Sequence, residues 1–165
     1  MPMTISGDSG LTFPDASVQA KSGTQGVVDG SNAAAGQIGE YVESVVLQGS
    51  PISLTTATNA NITSISLTAG DWDVSGAVAF ATSGTTSVTV LIGAFNTTSV
   101  TLPASPERFS YSTAANVPGS STSVYAVPTR RFSLAATTTV YLIAQGSFTA
   151  STLTAYGRIS ARRIR

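Results

Sequence analysis

Asp71, Trp72 and Asp73 come nearest to a catalytic arrangement in residue type and spacing. Glycoside hydrolases use paired carboxyl groups, one as a proton donor and the other as a nucleophile or base. Residues two apart on a β-strand point to the same face of the sheet. Asp71 and Asp73 therefore lie side by side instead of facing each other across a cleft. We favour a structural role for both, with Trp72 in the core, and we expect no catalytic residues.

The chain contains no histidine and no cysteine. These residues are the most common general base, transition-metal ligand and thiol nucleophile of proteins. A serine nucleophile also needs a neighbouring base, and the sequence shows no phosphate-binding glycine loop and no calcium-loop pattern. The sequence therefore predicts a protein that is not an enzyme, with no cofactor and no metal.

The composition is poor in charge. Charged residues make up 10% of the chain, against about 25% in an ordinary soluble domain. We expect other subunits to cover much of such a surface; the alternative is a monomer with a surface of serine and threonine. Eight basic and eight acidic residues balance, so we expect no nucleic-acid partner. The apolar runs are too short to span a membrane, and the first ten residues do not resemble a secretory signal.

The charges are unevenly placed, with most acids early and most arginines late. The densest cluster is at the C-terminus and comprises Arg158, Arg162, Arg163 and Arg165. One hypothesis pairs these arginines with Glu40, Glu43 or Asp73 across a subunit boundary, because guanidinium–carboxylate pairs suit interfaces. The alternative is a receptor site in which they bind an acidic glycan. We favour the structural hypothesis.

The residue pattern divides the chain into three segments. Residues 1–22 form an N-terminal arm, residues 23–39 form a glycine-rich linker, and residues 40–165 form a head with dense β signal. Residues 71–82 alternate between two faces, which is typical of a half-buried strand. Eight or so short strands over the head predict an all-β fold, an antiparallel β-sandwich of jelly-roll type preceded by an extended arm.

Two of the predicted strands, residues 88–95 and 140–148, are apolar on both faces. The outer face of a two-sheet sandwich is normally in contact with water. A neighbouring subunit is the simplest cover for an apolar outer face. We therefore expect a subunit interface that includes Leu91, Phe95, Tyr141 and Ile143.

The N-terminal arm carries apolar side chains around a predicted turn at Pro14 and Asp15. A two-stranded hairpin of this size is marginally stable on its own in water. Its apolar residues should therefore be buried by another chain. We expect Leu11, Phe13, Pro14 and Val18 to form a docking element.

The stretch ISGDSGLTFPDASVQ resembles a segment common in tail fibres and related virion proteins of tailed bacteriophages. That segment often reads GLTFPDGTxQ, and Ala16 replaces its glycine here. Three further stretches are similar to C-terminal domains of small phage structural proteins. They are AAAGQIGEYVES, ISLTTATNANITSISLTAGDWDVSGAVAF and RFSLAATTTVYLIAQGSFTASTLTAYGRISARRIR.

This resemblance implies a virion component that is assembled in the bacterial cytoplasm and is a homo-oligomer, expected to be a trimer. Its arm would be held by another capsid or tail protein, with a β-sandwich head outside. No catalytic residue is carried over. The alternatives are a receptor-binding fibre tip that recognises a host cell-surface glycan, through the C-terminal arginines and loop tyrosines such as Tyr111 and Tyr125, and a polysaccharide hydrolase.

Overall fold

The computed structural model describes residues 4–6, 10–12, 18–19, 29–112 and 121–165. The chain divides into two compact units, Met1–Ser31 and Asn32–Arg165. The first unit has three short antiparallel strands in its described part, paired in chain order: β1 (Thr4–Ser6), β2 (Gly10–Thr12) and β3 (Val18–Gln19).

Two of the residues expected to dock, Phe13 and Pro14, lie outside the described residues. Leu11 is in β2 and pairs with Gln19, and Val18 is in β3. Docking through these four residues stays a prediction.

The second unit consists of two antiparallel sheets. Its strands are β4 (Tyr41–Val46), β5 (Ile52–Ser53), β6 (Ala60–Leu67), β7 (Gly70–Thr82), β8 (Ser87–Asn96), β9 (Arg108–Ser112), β10 (Thr122–Leu134), β11 (Thr138–Thr149) and β12 (Leu153–Arg163). The first sheet has the order β10-β7-β12-β4, with β5 also paired to β12, and the second has the order β6-β11-β8-β9.

The strand order is that of a jelly roll. From β6 onward, consecutive strands alternate between the two sheets except at the β8–β9 connection, where both strands belong to the second sheet. Two interleaved four-stranded antiparallel sheets of this kind make the eight-stranded jelly roll. The predicted all-β fold, an antiparallel sandwich of jelly-roll type, is confirmed.

The core lies between the two sheets and follows the alternation of the sequence. On β7, Trp72, Val74 and Val78 are fully buried and Phe80 is nearly so. On β12 the inward residues are Leu153, Ala155, Ile159 and Ala161. The exposed residues of β7, including Asp73, lie on the opposite face. The two-faced alternation predicted for residues 71–82 is therefore confirmed.

Several strands differ from the extents that the residue pattern predicts. The sequence indicates a strand from Val45, whereas β4 begins at Tyr41. The separately predicted strands at 122–127 and 131–134 are one strand, β10, with an irregular register between Val127 and Arg130. Pro128 lies in this irregularity. Proline has no N–H for the ladder, and a bulge on a sheet edge tolerates it.

Part of the expected linker belongs to the second unit, which begins at Asn32. The amide of Gly39 donates to the carbonyl of Arg163 at 2.9 Å. The amide of Gly36 donates to the Glu40 carboxylate at 2.7 Å. These bonds fix residues 36–39 against the end of β12.

The expected interface residues Leu91 and Phe95 lie in the core of the chain itself. A register shift opposite Ser147 and Phe148 places one extra residue in β8 between Val88 and Val90. Val88 and Leu91 consequently both belong to the core. The interface prediction is corrected for Leu91 and Phe95, because side chains buried in one chain cannot cover another.

Ile143 is also fully buried, although it lies outside the core cluster between the sheets. The chain itself accounts for its burial. The segment that follows β8 is hydrogen-bonded to β6: Asn61 donates to Ser99 Oγ at 2.7 Å and accepts from the amide of Val100 at 2.9 Å. Since β11 lies between β8 and β6, this segment crosses β11 near Ile143, the residue paired with Asn61.

The interface prediction is therefore corrected for Ile143 as well. Tyr141 is half-buried in the described part of the chain. It alone among the four predicted interface residues retains substantial exposed surface.

A substitution of Gly157 tests how closely the central strands β7 and β12 approach each other. A Cβ on Gly157 would lie 2.2 Å from the carbonyl oxygen of Ala77, a backbone atom that cannot move aside. We expect Gly157→Ala to lower the free energy of unfolding by about 1–3 kcal/mol, as over-packed sites do. Chemical denaturation measures this change.

Gly49→Ala is the matched control, because nothing lies within 4 Å of its Cβ position. It should be neutral or stabilise by up to about 1 kcal/mol. Equal effects of the two substitutions would contradict the close approach of β7 and β12.

Candidate functional site

The carboxylate of Asp71 lies in an arginine clamp at the start of β7. Its side chain is 4% exposed and accepts two hydrogen bonds from Arg131, one of them from Nε at 2.7 Å, and a third from Nε of Arg165 at 2.6 Å. The backbone of Asp71 also bonds the C-terminus, since Ile164 N donates to its carbonyl oxygen at 2.9 Å. Asp71 therefore joins β10, β7 and the C-terminal residues.

The clamp suits a structural carboxylate and not a general acid. The hydrogen bonds from Arg131 are the main reason that the pKa of Asp71 is lowered, and Arg165 adds to the effect against the opposing effect of burial. The pKa of Arg131 is raised by the same pair. A glycosidase acid needs a raised pKa at neutral pH. Asp73 is exposed on the same face, so the two carboxylates do not flank a cleft.

A second charged residue, Arg163, is buried beside Trp72 at the end of β12. Its side chain is 4% exposed, and Nε donates to the Glu40 carboxylate at 2.9 Å. The other guanidinium nitrogens donate to the Ala69 carbonyl at 2.8 Å and to the hydroxyl of Thr68. The guanidinium carbon lies 4.3 Å from the centre of the Trp72 ring, within the range of a cation–π interaction.

This arrangement, which we call the Arg163 node, requires a glycine at position 70. A Cβ on Gly70 would lie 1.8 Å from a guanidinium nitrogen of Arg163, and the residue has a φ of +143°. The indole N–H of Trp72 donates to the carbonyl of Thr68 at 2.9 Å. The turn between β6 and β7 is thus built around one arginine.

The other C-terminal arginines are more exposed. Arg158 is 58% exposed and lies 3.7 Å from the Glu43 carboxylate. The guanidinium of Arg162 lies 5.9 Å from the centre of the Tyr41 ring, and Arg165 is 72% exposed beside Asp71. Arg163 pairs with Glu40 and Arg158 pairs with Glu43 within one chain. The sequence had suggested that such pairs form across a subunit boundary.

The hypothesis that Arg163 binds a receptor is wrong, because its guanidinium group is buried inside the chain. The alternation of the strand in the sequence distinguishes Arg163 from Arg158 and Arg162. Residue 163 is in phase with Leu153, Ala155 and Ile159, so it points inward, whereas Arg158 and Arg162 point outward. The part played by Arg131 had no sequence signal, because its partner Asp71 is 60 residues away.

Four aromatic rings form a cluster where β9 and β10 approach each other. Phe109 stacks on Tyr125 at 5.2 Å between ring centres, and Tyr111 lies 5.5 Å from Tyr125. Phe80 contacts Phe109 and Tyr125 edge to face. Tyr111 is 45% exposed. The structure thus brings together the two tyrosines named for the glycan hypothesis.

A small pocket opens beside this cluster, with room for about 30 Å³ of water. It is lined by Phe80, Thr82, Val88, Leu91, Tyr111, Ser121, Ser123, Tyr125 and Leu153. This space suits one or two water molecules. A ligand of drug size needs roughly 300 Å³ or more.

Within the described ranges, no group of three or more carboxylate, histidine or cysteine side chains could hold a metal ion. No helix in the same residues is long and apolar enough to cross a membrane. No model of a known protein family matches the chain. No curated protein matches its sequence significantly.

The Asp71 clamp predicts an acid-dependent stability. The folded pKa lies below the usual value of 3.8. The ionised carboxylate therefore stabilises the fold fully above the unfolded pKa, and this stabilisation is lost as pH falls through the folded pKa. We expect Asp71→Asn to lower the melting temperature near neutral pH and to converge on the wild type as pH falls through the folded pKa of Asp71. Thermal denaturation from about pH 6 to about pH 2 measures this.

Asp73→Asn leaves the ion pairs of Asp71 in place and is the control. Its melting temperature should fall with pH in the acid range as that of the wild type does. A constant gap between Asp71→Asn and the wild type over the whole pH range would count against the clamp.

The Arg163 node predicts a large difference between neighbouring arginines. Arg163→Met leaves Glu40 without its buried partner, and breaking a buried pair costs about 3–5 kcal/mol. Arg162→Met removes an exposed side chain and should change the free energy of unfolding by at most about 0.5 kcal/mol. Urea denaturation of both variants tests this. Similar losses in the two variants would refute the node.

Proposed function

We propose that the protein is a non-enzymatic structural component of a tailed-bacteriophage virion. It forms a short oligomeric surface fibre or decoration on the capsid or tail. The N-terminal unit docks on another virion protein, and the jelly-roll unit is the displayed head.

The observation that carries this proposal is the separation of the phage-like stretch from the jelly roll. The stretch ISGDSGLTFPDASVQ falls wholly within the unit Met1–Ser31, and the sandwich is complete in Asn32–Arg165. Docking on the particle and display of the head are two functions that separate parts of a chain can perform. A chain with two compact units suits that division.

The chemistry of the head supports the same proposal. The residues that gave the hydrolase hypothesis its candidate site have structural partners: Asp71 is held by two arginines, and Trp72 supports Arg163. Such contacts hold the start of β7 and the end of the chain together. Rigidity of this kind suits a particle component that must survive outside a cell.

A receptor-binding head is the second candidate, and Tyr111 favours it. Its ring is 45% exposed beside the stacked Tyr125, and an exposed aromatic face is a surface on which a sugar ring can stack. The exposed Arg158 and Arg162 could contact an acidic glycan. A decoration can also bind cells, so this candidate adds to the first and does not replace it.

Particles that carry a Phe13→Ala variant test the docking proposal. Burying one phenylalanine contributes about 1.5–3 kcal/mol per contact, so we expect a loss of occupancy of roughly tenfold or more at limiting protein. The head should keep its wild-type melting temperature. Quantitative mass spectrometry of purified particles measures the occupancy.

Ser17→Ala changes a polar residue of the same stretch and is the control, with occupancy expected to be unchanged. Wild-type occupancy of Phe13→Ala would overturn docking through this residue. Absence of the wild-type protein from particles would overturn the virion assignment. Adsorption to host cells, measured with Tyr111→Ala and Ser110→Ala, separates the candidates: a loss with Tyr111→Ala alone supports the glycan site.

A further inference from the structure

The first sheet, β10-β7-β12-β4, has an outer face that the described chain leaves uncovered. The register places Val124, Ala79 and Tyr156 in one row across three strands. The next row is Ala126, Ala77, Arg158 and Val45. Leu47 follows β4 two residues after Val45. We call Val45, Leu47, Ala77, Ala79, Val124, Ala126 and Tyr156 the outer band.

The outer band exposes large apolar side chains at both edges of the sheet. Val124 is 66% exposed on β10, whereas Val45 and Leu47 are 46% and 71% exposed on the β4 side. These are three of the seven large hydrophobic residues exposed in the described chain. An apolar band that crosses a whole sheet is a feature of interaction surfaces.

The strand β7 carries only small side chains on the outer face of the band. On β7 the outward side chains are Ser75, Ala77, Ala79 and Ala81, and Ala79 is only 4% exposed between larger neighbours. Sheets pack face to face about 10 Å apart, and small side chains allow that approach. The low strip along β7 lies between Val124 on β10 and Tyr156 on β12, and so offers a second protein a shallow groove between larger side chains.

The charges on this face identify the occupant. They have both signs: Glu43, Asp73, Arg131 and Arg162 lie toward one end of the face, and Arg158 lies within the band, between Ala77 and Val45. Asp73 lies between Arg131 and Arg162 in the register. A strongly acidic or strongly basic partner would meet like charges here. Arg131 and Arg158 are already paired with Asp71 and Glu43 of their own chain. A second copy of the chain brings the same mixed set, with the exposed Asp73 for the exposed Arg162, and so is electrostatically complementary.

We propose that the outer face of the β10-β7-β12-β4 sheet is the interface through which copies of this chain associate, with the outer band at its centre. The inference rests on the proposed function, because it identifies the contact that makes the fibre or decoration an oligomer. It moves the interface from the second sheet, where Leu91, Phe95 and Ile143 are buried by their own chain, to the first.

The full-length protein in solution provides the test, with light scattering after size-exclusion chromatography as the readout. Val124→Glu and Leu47→Glu place a charge in the band at side chains that are mostly exposed in one chain, so the fold should be retained. We expect both variants to be monomers with wild-type circular dichroism, while the wild type is an oligomer. Val100→Glu is the matched control, a half-exposed valine beside the second sheet, and should stay oligomeric.

Cysteine labelling gives an independent readout, because the natural chain has no cysteine. Val124→Cys should react with a maleimide at least about tenfold more slowly than Val100→Cys in the oligomer, since a buried interface opens rarely. The two should react at similar rates in denaturant.

An oligomeric wild type with a freely reactive Val124→Cys and an oligomeric Val124→Glu would overturn this interface while leaving the virion assignment intact. A monomeric wild type whose Val124→Cys is protected only on particles would assign the face to another virion protein and overturn association between copies. A monomeric wild type that is absent from particles would overturn this inference together with the proposed function.

Discussion

The fold depends on the burial of one guanidinium group, that of Arg163. A charge this deep in a protein is tolerated only when it is paired and fully hydrogen-bonded. Glu40, Thr68 and Ala69 supply those bonds, and the Trp72 ring covers one side of the guanidinium. Glu40 precedes β4, Thr68 and Ala69 form the turn before β7, and Arg163 ends β12, so the arginine links these three parts of the second unit.

The adjacent Asp71 clamp extends the same constraint to β10. Arg131 and Arg165 converge on its carboxylate. Most charged groups near the ends of these strands are therefore paired within the chain. Between its apolar edges, the outer face carries alanine and serine on β7, and Tyr156, Arg158 and Arg162 on β12. This is the sheet face that we propose as the interface between copies of the chain.

Strand alternation predicted much of the fold. Residues 71–82 and 153–163 have a strict period of two, and their inward faces are those of the structure. The same period distinguishes Arg163 from Arg162. Local pattern could not supply partners that are distant in sequence, such as Arg131 for Asp71 or Glu40 for Arg163, because strand order decides them.

The wrong predictions for the subunit interface have physical causes that the sequence of one strand does not show. An extra residue in β8 between Val88 and Val90 changes which apolar residues share a face. The segment after β8 is hydrogen-bonded to Asn61 of β6, and Ile143 is fully buried within its own chain. An apolar outer face therefore looked like a subunit interface when its cover lay in the same chain. The exposed Val124 belongs to an edge strand and Leu47 follows one, and their surroundings are set by the sheet and not by local sequence.

The central claim is that copies of this chain form a particle component whose heads meet through the first sheet. An averaged image of purified particles, resolved well enough to place strands, tests it most directly. The account predicts density at the particle surface in which neighbouring jelly rolls contact each other through the β10-β7-β12-β4 face. Heads that stand apart, or that meet through the β6-β11-β8-β9 sheet, would contradict it.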